Sequence, residues 1–420
     1  MIKKTYAAGC YKVYTIKTDK FKTAHMEVIF RKKATRESLP LYTFLADMLS
    51  ESTKKYPSKK DLVVEFEKLY LASINAQTSR TGTCLNFSFI LDFINPSYIK
   101  DDNYLENIIK LLMEVIHNPN VTNEEFDLKT YNFIKDKLHR EIDSLKENPA
   151  KWSIRKALSY LGESASSYTL LGSHEDIDKV TPSTLYKAYQ SLFKDFTCDV
   201  FIIGDFDMDH LVSLFKENFS LRVINETKLD LLVNNEPVKK EKVHTEKSDN
   251  VQASLVMLYN VDNTENLDRD IYMNVFNYLF GSGGLNSVLY QNLREKNSMC
   301  YAVSSMYLKY DKLLLIQVSL ESKNVEKAIS LVKKSLKEMQ RGEFTEDALE
   351  EAKKNMQIAL DFVCDNQISL LDNYIFNVYA GLPLVEKRQE LFGEVTLENV
   401  VNISKKIKLN TILVLEGREN

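Results

Sequence analysis

Glycine and cysteine are both scarce in this sequence, with 12 and 5 residues among 420. The cysteines are scattered and form no CxxC pair, so neither a disulfide framework nor a cysteine zinc site is expected. No run approaches the ~20 apolar residues of a membrane-spanning helix. A formal charge of −4 gives no reason to expect nucleic-acid binding. These absences favour a soluble, cytoplasmic globular protein.

Histidine is also sparse, and no two histidines have the spacing of a metal-binding motif. The six histidines are His25, His117, His139, His174, His210 and His244. No two lie within five positions of each other, so neither HExxH nor HxxEH occurs. His139 and Glu141 are two positions apart and would point to different sides of one helix. We therefore expect no metal or other cofactor in this chain, and surface or capping roles for the histidines.

The sequence consists of two similar halves. A charged run, "KKEKVHTEKSD" at 239–249, has no helical or strand periodicity and indicates a solvated linker. Val180–Gly204 and Val395–Gly417 both read Val-Thr, helix, short apolar strand, glycine. Thr122 and Thr345 each precede an acidic helical stretch and are predicted to be N-caps. We predict an N-terminal domain over 1–220, a linker over 221–250 and a C-terminal domain over 251–420.

Each half is predicted to be α+β, with an antiparallel sheet covered on one face by helices. "CLNFSFILDF" and "LLLIQVSLES" alternate apolar and polar residues as half-buried strands do. "MEVIFRK" and "ASLVMLYNV" are further strand candidates.

The stretch "LPLYTFLADMLSEST" is predicted to be an amphipathic helix. Opposite its apolar stripe, Thr43, Ala46 and Asp47 share one face at i, i+3 and i+4. The stretch resembles the first active-site helix of the M16 metallopeptidases, the pitrilysin family. Their HxxEH motif supplies two zinc ligands and a general base, and Glu141 in "LHREIDSLKENP" stands about where the family has a third ligand. Aligned on that motif, Thr43, Ala46 and Asp47 replace His, Glu and His, so the resemblance implies a lost zinc site.

The second half of the sequence resembles the M16 family more closely than the first half does. "FGSGGLNSVLYQNLREKNSMCYAV" is similar to the family's glycine-rich loop, following helix and Arg/Tyr pair. The resemblance implies that Arg294 and Tyr301 contact substrate and the developing oxyanion, with Gly281, Ser282, Gly283 and Gly284 as a mobile substrate-binding loop. From spacing alone, structural roles are favoured, with Arg294 as a solvated or salt-bridged surface residue and Tyr301 as a packing residue at the start of a strand. The loop has neither GK[ST] nor GxGxxG, which argues against nucleotide binding.

Together these features predict a non-catalytic subunit of a heterodimeric zinc-dependent M16 peptidase. The partner would carry HxxEH and the zinc, and the substrate would be an extended peptide. Among bacterial branches the chain resembles the YmfF-like group, also in "KFKT" at 20–23. The alternatives are an M16-fold scaffold without chemistry, a lone enzyme with unusual ligands, and a homodimeric peptide-binding protein.

Overall fold

The computed structural model describes residues 1–219, 229–236, 238, 240–262 and 264–418. The strands are β1 (Ile2–Ala8), β2 (Tyr11–Lys17), β3 (Thr23–Lys33), β4 (Ser73–Thr81), β5 (Cys84–Ile94), β6 (Val121–Thr122), β7 (Glu125–Phe126), β8 (Thr197–Gly204), β9 (Lys242–Lys247), β10 (Ala253–Val261), β11 (Ala302–Leu308), β12 (Leu313–Leu320) and β13 (Ile407–Glu416). In the same ranges, no helix is long and apolar enough to cross a membrane.

The helices occur mostly in runs between groups of strands. They are α1 (Ser38–Glu51), α2 (Lys59–Lys68), α3 (Tyr104–His117), α4 (Leu128–Lys146), α5 (Pro149–Ser159), α6 (His174–Asp178), α7 (Pro182–Asp195), α8 (Met208–Asn218), α9 (Met273–Asn277), α10 (Val288–Tyr290), α11 (Val325–Gln340), α12 (Glu346–Asp365), α13 (Gln367–Ala380), α14 (Val385–Gly393) and α15 (Leu397–Ser404). Short π-helical turns flank α9 and extend α10 through Gln291–Glu295.

The chain forms two compact units, and their bounds differ from the contiguous domains predicted above. Unit 1 comprises Met1–Asp143, Tyr168–Asp230 and Gln367–Ile375, and unit 2 comprises Ser144–Ser167, Leu231–Asn366 and Phe376–Asn420. Each unit therefore takes one short segment from the other's half of the sequence. No pattern in the sequence indicated this exchange. The two segments contain α5 and the first part of α13, and helical periodicity does not show which unit a helix packs against.

Unit 1 is built on a sheet with the order β1-β2-β8-β3-β5-β4. All its pairs are antiparallel except β2 with β8. The long central strand β3 is buried at seven consecutive positions, so helices cover both of its faces. On the second face, Tyr374 of α13 packs edge-on against Tyr14 and Phe201. The prediction of one covered face was therefore wrong for this strand.

Unit 2 repeats the arrangement with the order β11-β12-β10-β13-β9, in which only β13 and β9 are parallel. The central strand β10 is buried at all nine positions. One side joins the main core of the unit. Val256 and Leu258 face the other side, where α5 covers them with Ala157 and Trp152. Continuous burial explains why the "ASLVMLYNV" strand shows no polar alternation.

The internal repeat is present in the structure. Thr181 caps α7, which leads into β8, and Thr396 caps α15, which leads into β13. Thr345 caps α12, as predicted, by accepting a hydrogen bond from the Ala348 amide. The prediction for Thr122 was wrong: it lies in β6, and the helix that follows begins only at Leu128.

The predicted linker is partly regular structure. Lys242–Lys247 forms β9 at the edge of the unit 2 sheet. Its side chains are mostly exposed, so the strand lacks the apolar alternation that would have identified it. Residues 221–228 of the predicted linker lie outside the described part of the chain.

Candidate functional site

The face of α1 that aligns with the family's metal motif has almost no metal-binding capacity. Ala46 is 3 % exposed and carries no donor atom. The buried hydroxyl of Thr43 has no hydrogen-bond partner among the described residues. Asp47 is the single carboxylate at the three aligned positions, and its Oδ2 accepts a hydrogen bond from Lys137 Nζ at 2.9 Å. The α1 helix therefore lies where the sequence predicts it, but it lacks the metal-binding side chains of the family's motif.

Lys137 connects the two carboxylates that remain. It lies on α4, four residues before Glu141, and its Nζ is 3.7 Å from Glu141 Oε1. Burial lowers the pKa of Lys137, but the hydrogen bond from its ammonium to Asp47 and the charges of Asp47, Glu141 and Glu51 more than offset this and raise it. Lys137 was missed by the sequence analysis, although its i, i+4 spacing from Glu141 was a usable signal.

These residues do not fit a zinc ion. A zinc site takes three or four protein ligands, whereas this face offers Asp47 and Glu141 with an ammonium between them. Across the described residues, no group of three or more His, Cys, Asp or Glu side chains is arranged to hold a metal ion. We therefore derive no chemical step through a metal bound by this chain.

Folding also brings together groups that sequence spacing had separated. His139 and His174 stack, with their Nδ1 atoms 2.5 Å apart, and His174 Nε2 lies 2.9 Å from Asp143. His25 is 2 % exposed and lies between Asp92 and Glu27. The expectation of surface or capping roles was thus wrong for His25, which is buried in β3 opposite Asp92 of β5.

The glycine-rich loop is closely packed at Gly281 and Gly283, and Gly284 has a backbone conformation that favours glycine. A Cβ on Gly281 would lie 2.6 Å from Ser305 Oγ, and one on Gly283 would lie 2.7 Å from the Tyr278 carbonyl. Gly284 has a φ of +68°, where a side chain is strained. Local packing or backbone conformation therefore accounts for glycine at each of the three positions. This requirement is independent of any movement of the loop during substrate entry.

Arg294 and Tyr301 come together at the end of this segment. Arg294 Nη1 donates to the main-chain carbonyl of Tyr301 at 3.0 Å, and its guanidinium carbon lies 5.2 Å from the centre of the Tyr290 ring. A tight turn with Ser298 at a φ of +49° reverses the chain between them. The Tyr301 side chain is 51 % exposed, and among the described residues its hydroxyl has one contact, a long one of 3.4 Å to Glu321 Oε1.

Tyr301 leads directly into β11, the terminal strand of the unit 2 sheet. In the described part of the chain, β11 pairs only with β12, so its other edge has no neighbouring strand. Ala302, Ser304 and Met306 are exposed on one face of this strand. A cavity of ≈ 550 Å³ adjoins the start of β11. It is lined by Glu147, Asn148, Pro149, Ala150, Asn250, Val251, Gln252, Ser254, Ala302, Val303, Ser304, Gln317, Val318 and Ser319.

Comparison with known proteins supports the family resemblance. Residues 179–356 match the family model described as "Peptidase M16 inactive domain". The chain is 27 % identical over 421 residues to the "Probable inactive metalloprotease YmfF" of Bacillus subtilis, covering 98 % of this chain and 97 % of that protein.

Two solved structures share the fold over the whole chain. A conserved protein from Enterococcus faecalis superposes with a TM-score of 0.94 at 24 % identity, covering 100 % of this chain and 99 % of that one. A peptidase M16 inactive domain from Pseudomonas fluorescens superposes with a TM-score of 0.80 at 16 % identity, covering 100 % and 98 %. The predicted fold class and the predicted likeness to M16 and YmfF are confirmed.

Proposed function

We propose that this chain, which is similar to YmfF along its length and matches the M16 inactive-domain model over residues 179–356, is the non-catalytic subunit of a two-chain zinc peptidase. An HxxEH-bearing M16 partner holds the zinc, the general base and the attacking water. This chain lends Arg294 and Tyr301 to the substrate bound there. The zinc and the general base thus belong to the partner, and this chain supplies hydrogen-bond donors to the substrate and the oxyanion.

The observation that carries the proposal is the contrast between the two halves. Where the first half would bind metal, Lys137 joins the remaining carboxylates, Asp47 and Glu141. In the second half, Arg294 supports the backbone of Tyr301 and leaves the phenol half exposed. A hydroxyl held on a fixed backbone and free of strong partners is suited to donate a hydrogen bond to an oxyanion. A scaffold has no need to keep it so.

The open edge of β11 suggests how a peptide would reach Tyr301. An extended peptide added to a sheet edge gains main-chain hydrogen bonds, and its alternate side chains enter neighbouring pockets. The cavity beside Ala302 and Ser304 is large enough for such side chains, and Glu147 is its one charged lining residue. We therefore favour a peptide that places apolar or basic residues beside this strand.

The test is reconstitution. The chain and an HxxEH-bearing M16 protein from the same cell are purified separately, and an unstructured fluorogenic peptide mixture is offered to each alone and to both together. We expect cleavage only from the mixture, abolished by a chelator, and a stable one-to-one complex on size exclusion. A complex that cleaves no better than the partner alone would favour the scaffold alternative. Cleavage by this chain alone would contradict the proposal outright.

A further inference from the structure

We propose that Lys137 is the residue that excludes divalent cations from the α1–α4 face, with its ammonium standing between Asp47 and Glu141 where a metal would have to bind. Lys137 is thus a selectivity determinant, additional to the lost ligands at 43 and 46. The inference concerns the isolated chain and holds whether or not the proposed partner exists.

The geometry supports this assignment from both helices. Asp47 on α1 and Glu141 on α4 each direct one oxygen to the same Nζ, at 2.9 and 3.7 Å. The side chains are partly shielded, with exposures of 25 % for Asp47, 40 % for Lys137 and 43 % for Glu141. A zinc ion sharing these two carboxylates would need oxygen ligands at about 2.0–2.2 Å. The ammonium already uses the oxygens that the ion would need.

The charges around Lys137 point the same way. Asp47, Glu51 and Glu141 all act electrostatically on its ammonium. Glu51 also has a second cation, Lys59, at 3.9 Å. A divalent cation entering here would meet a positive charge within a few ångströms and would have to displace it. With the lysine removed, the same acids would form an electronegative site.

Lys137 should also affect any attempt to rebuild a zinc site on the α1–α4 face. Replacing Thr43 and Asp47 by histidine would create, with Glu141, the His2Glu set found in catalytic zinc sites. Ligand counting predicts that this double variant binds zinc. The structure predicts that it does not bind well while Lys137 remains, because the ammonium stays paired to Glu141 beside the new imidazoles and repels the ion.

The experiment compares Thr43→His/Asp47→His with the same variant carrying Lys137→Met, which keeps the apolar stem and removes the charge. Zinc is titrated against a chromogenic chelator, and bound zinc per chain is measured after dialysis. We expect about one zinc per chain with Lys137→Met, and affinity at least about tenfold weaker with Lys137 in place. Lys137→Arg in the double variant keeps the charge and should also bind zinc weakly.

The matched control is Lys135→Met in the double variant. Lys135 lies on the same helix and pairs with Asp178 at 2.8 Å, away from Asp47, so its loss should leave zinc affinity weak. Circular dichroism establishes that each variant is folded, and Lys137→Ala replaces Lys137→Met if that variant does not fold. The inference is overturned if the double variant alone binds zinc tightly. It is equally overturned if a folded variant without Lys137 binds no better than its parent.

Discussion

Arg294 donates a hydrogen bond from Nη1 to the main-chain carbonyl of Tyr301, across 3.0 Å and seven positions of sequence. The contact ties the end of a helical segment to the start of β11. It uses one of the five guanidinium donors, and the described residues offer this guanidinium no second hydrogen bond. The two residues therefore form one unit, in which Arg294 fixes the backbone of Tyr301 and the Tyr301 phenol is exposed.

Substitution of the pair should separate these two roles. In the reconstituted complex, Tyr301→Phe should lower kcat/KM by about 100-fold, as expected for loss of an oxyanion donor. Its free energy of unfolding should change by less than about 0.5 kcal/mol, because the hydroxyl has only a long contact with Glu321. Arg294→Ala should lower activity and also cost about 1 kcal/mol of stability, through the lost hydrogen bond. Peptide cleavage and urea denaturation measure the two effects.

The control for Tyr301→Phe is Tyr98→Phe. Tyr98 is 59 % exposed and lies in unit 1, so removing its hydroxyl should alter neither cleavage nor stability. If Tyr301→Phe retained full activity in the complex, Tyr301 would have no part in the reaction and the proposed oxyanion contact would have to be abandoned.

Gly281 should be required for packing. An added Cβ would lie 2.6 Å from Ser305 Oγ and 2.8 Å from Leu289 Cδ1, and overpacking of this kind costs about 1–3 kcal/mol. We expect Gly281→Ala to lower the free energy of unfolding by this amount. Ser305→Gly should be less harmful in the Gly281→Ala background than in the native chain, because it removes one clashing group. Urea denaturation of the double-mutant cycle tests this.

If Gly281 served only as a mobile joint, the outcome would differ. Gly281→Ala would then leave stability unchanged and slow the reconstituted reaction. Gly284→Ala is a useful comparison: its added Cβ would meet nothing within 4 Å, but its φ of +68° is strained for alanine. Its destabilisation should therefore be unaffected by substitutions at Ser305.

His25 is expected to make stability depend on pH. Burial disfavours its charge, but hydrogen bonds to Asp92 at 2.6 Å and Glu27 at 3.1 Å outweigh this and raise its pKa from 6.5 to about 9. A raised folded-state pKa stabilises the protein fully below pH 6.5, and this contribution is lost as pH rises through 9. The shift corresponds to roughly 3 kcal/mol.

The measurement is the free energy of unfolding in urea between pH 6.5 and 10, for the native chain and for Asp92→Asn. The variant removes the shorter of the two hydrogen bonds to a carboxylate, so its stability should fall less steeply across this range. The pKa of the neighbouring Asp372 is raised to about 6, mainly by burial, so this carboxyl titrates below the range. Equal slopes for the two proteins would show that His25 is not the titrating group.

Local features were the ones that could be predicted. The segment around Tyr301 was identified by its resemblance to the family's loop, helix and Arg/Tyr pair. The α1 face at Thr43, Ala46 and Asp47 follows from helical spacing. The Thr345 cap and the repeated helix–strand units were predictable for the same reason, since each depends on neighbours within about 25 positions. Thr122 failed because a short hairpin, β6 and β7, intervenes before α4 begins.

Other parts of the structure had no local signal. β9 has no buried position, and its two partly buried side chains, His244 and Glu246, are polar, so it lacks the apolar alternation that marks a strand. The placement of α5 in unit 2 and of Gln367–Ile375 in unit 1 depends on which sheet face each helix covers. Amphipathic periodicity shows that a helix has a buried face but not what that face is buried against.

The sequence by itself therefore determined that no HxxEH motif occurs and that Arg294 and Tyr301 lie seven positions apart, because residue identity and spacing decide both. Only the tertiary structure decided what occupies the lost site. Lys137 and Asp47 are 90 positions apart and meet because α1 and α4 pack in one register. That register is set by the summed packing of unit 1, and no short stretch of sequence contains it.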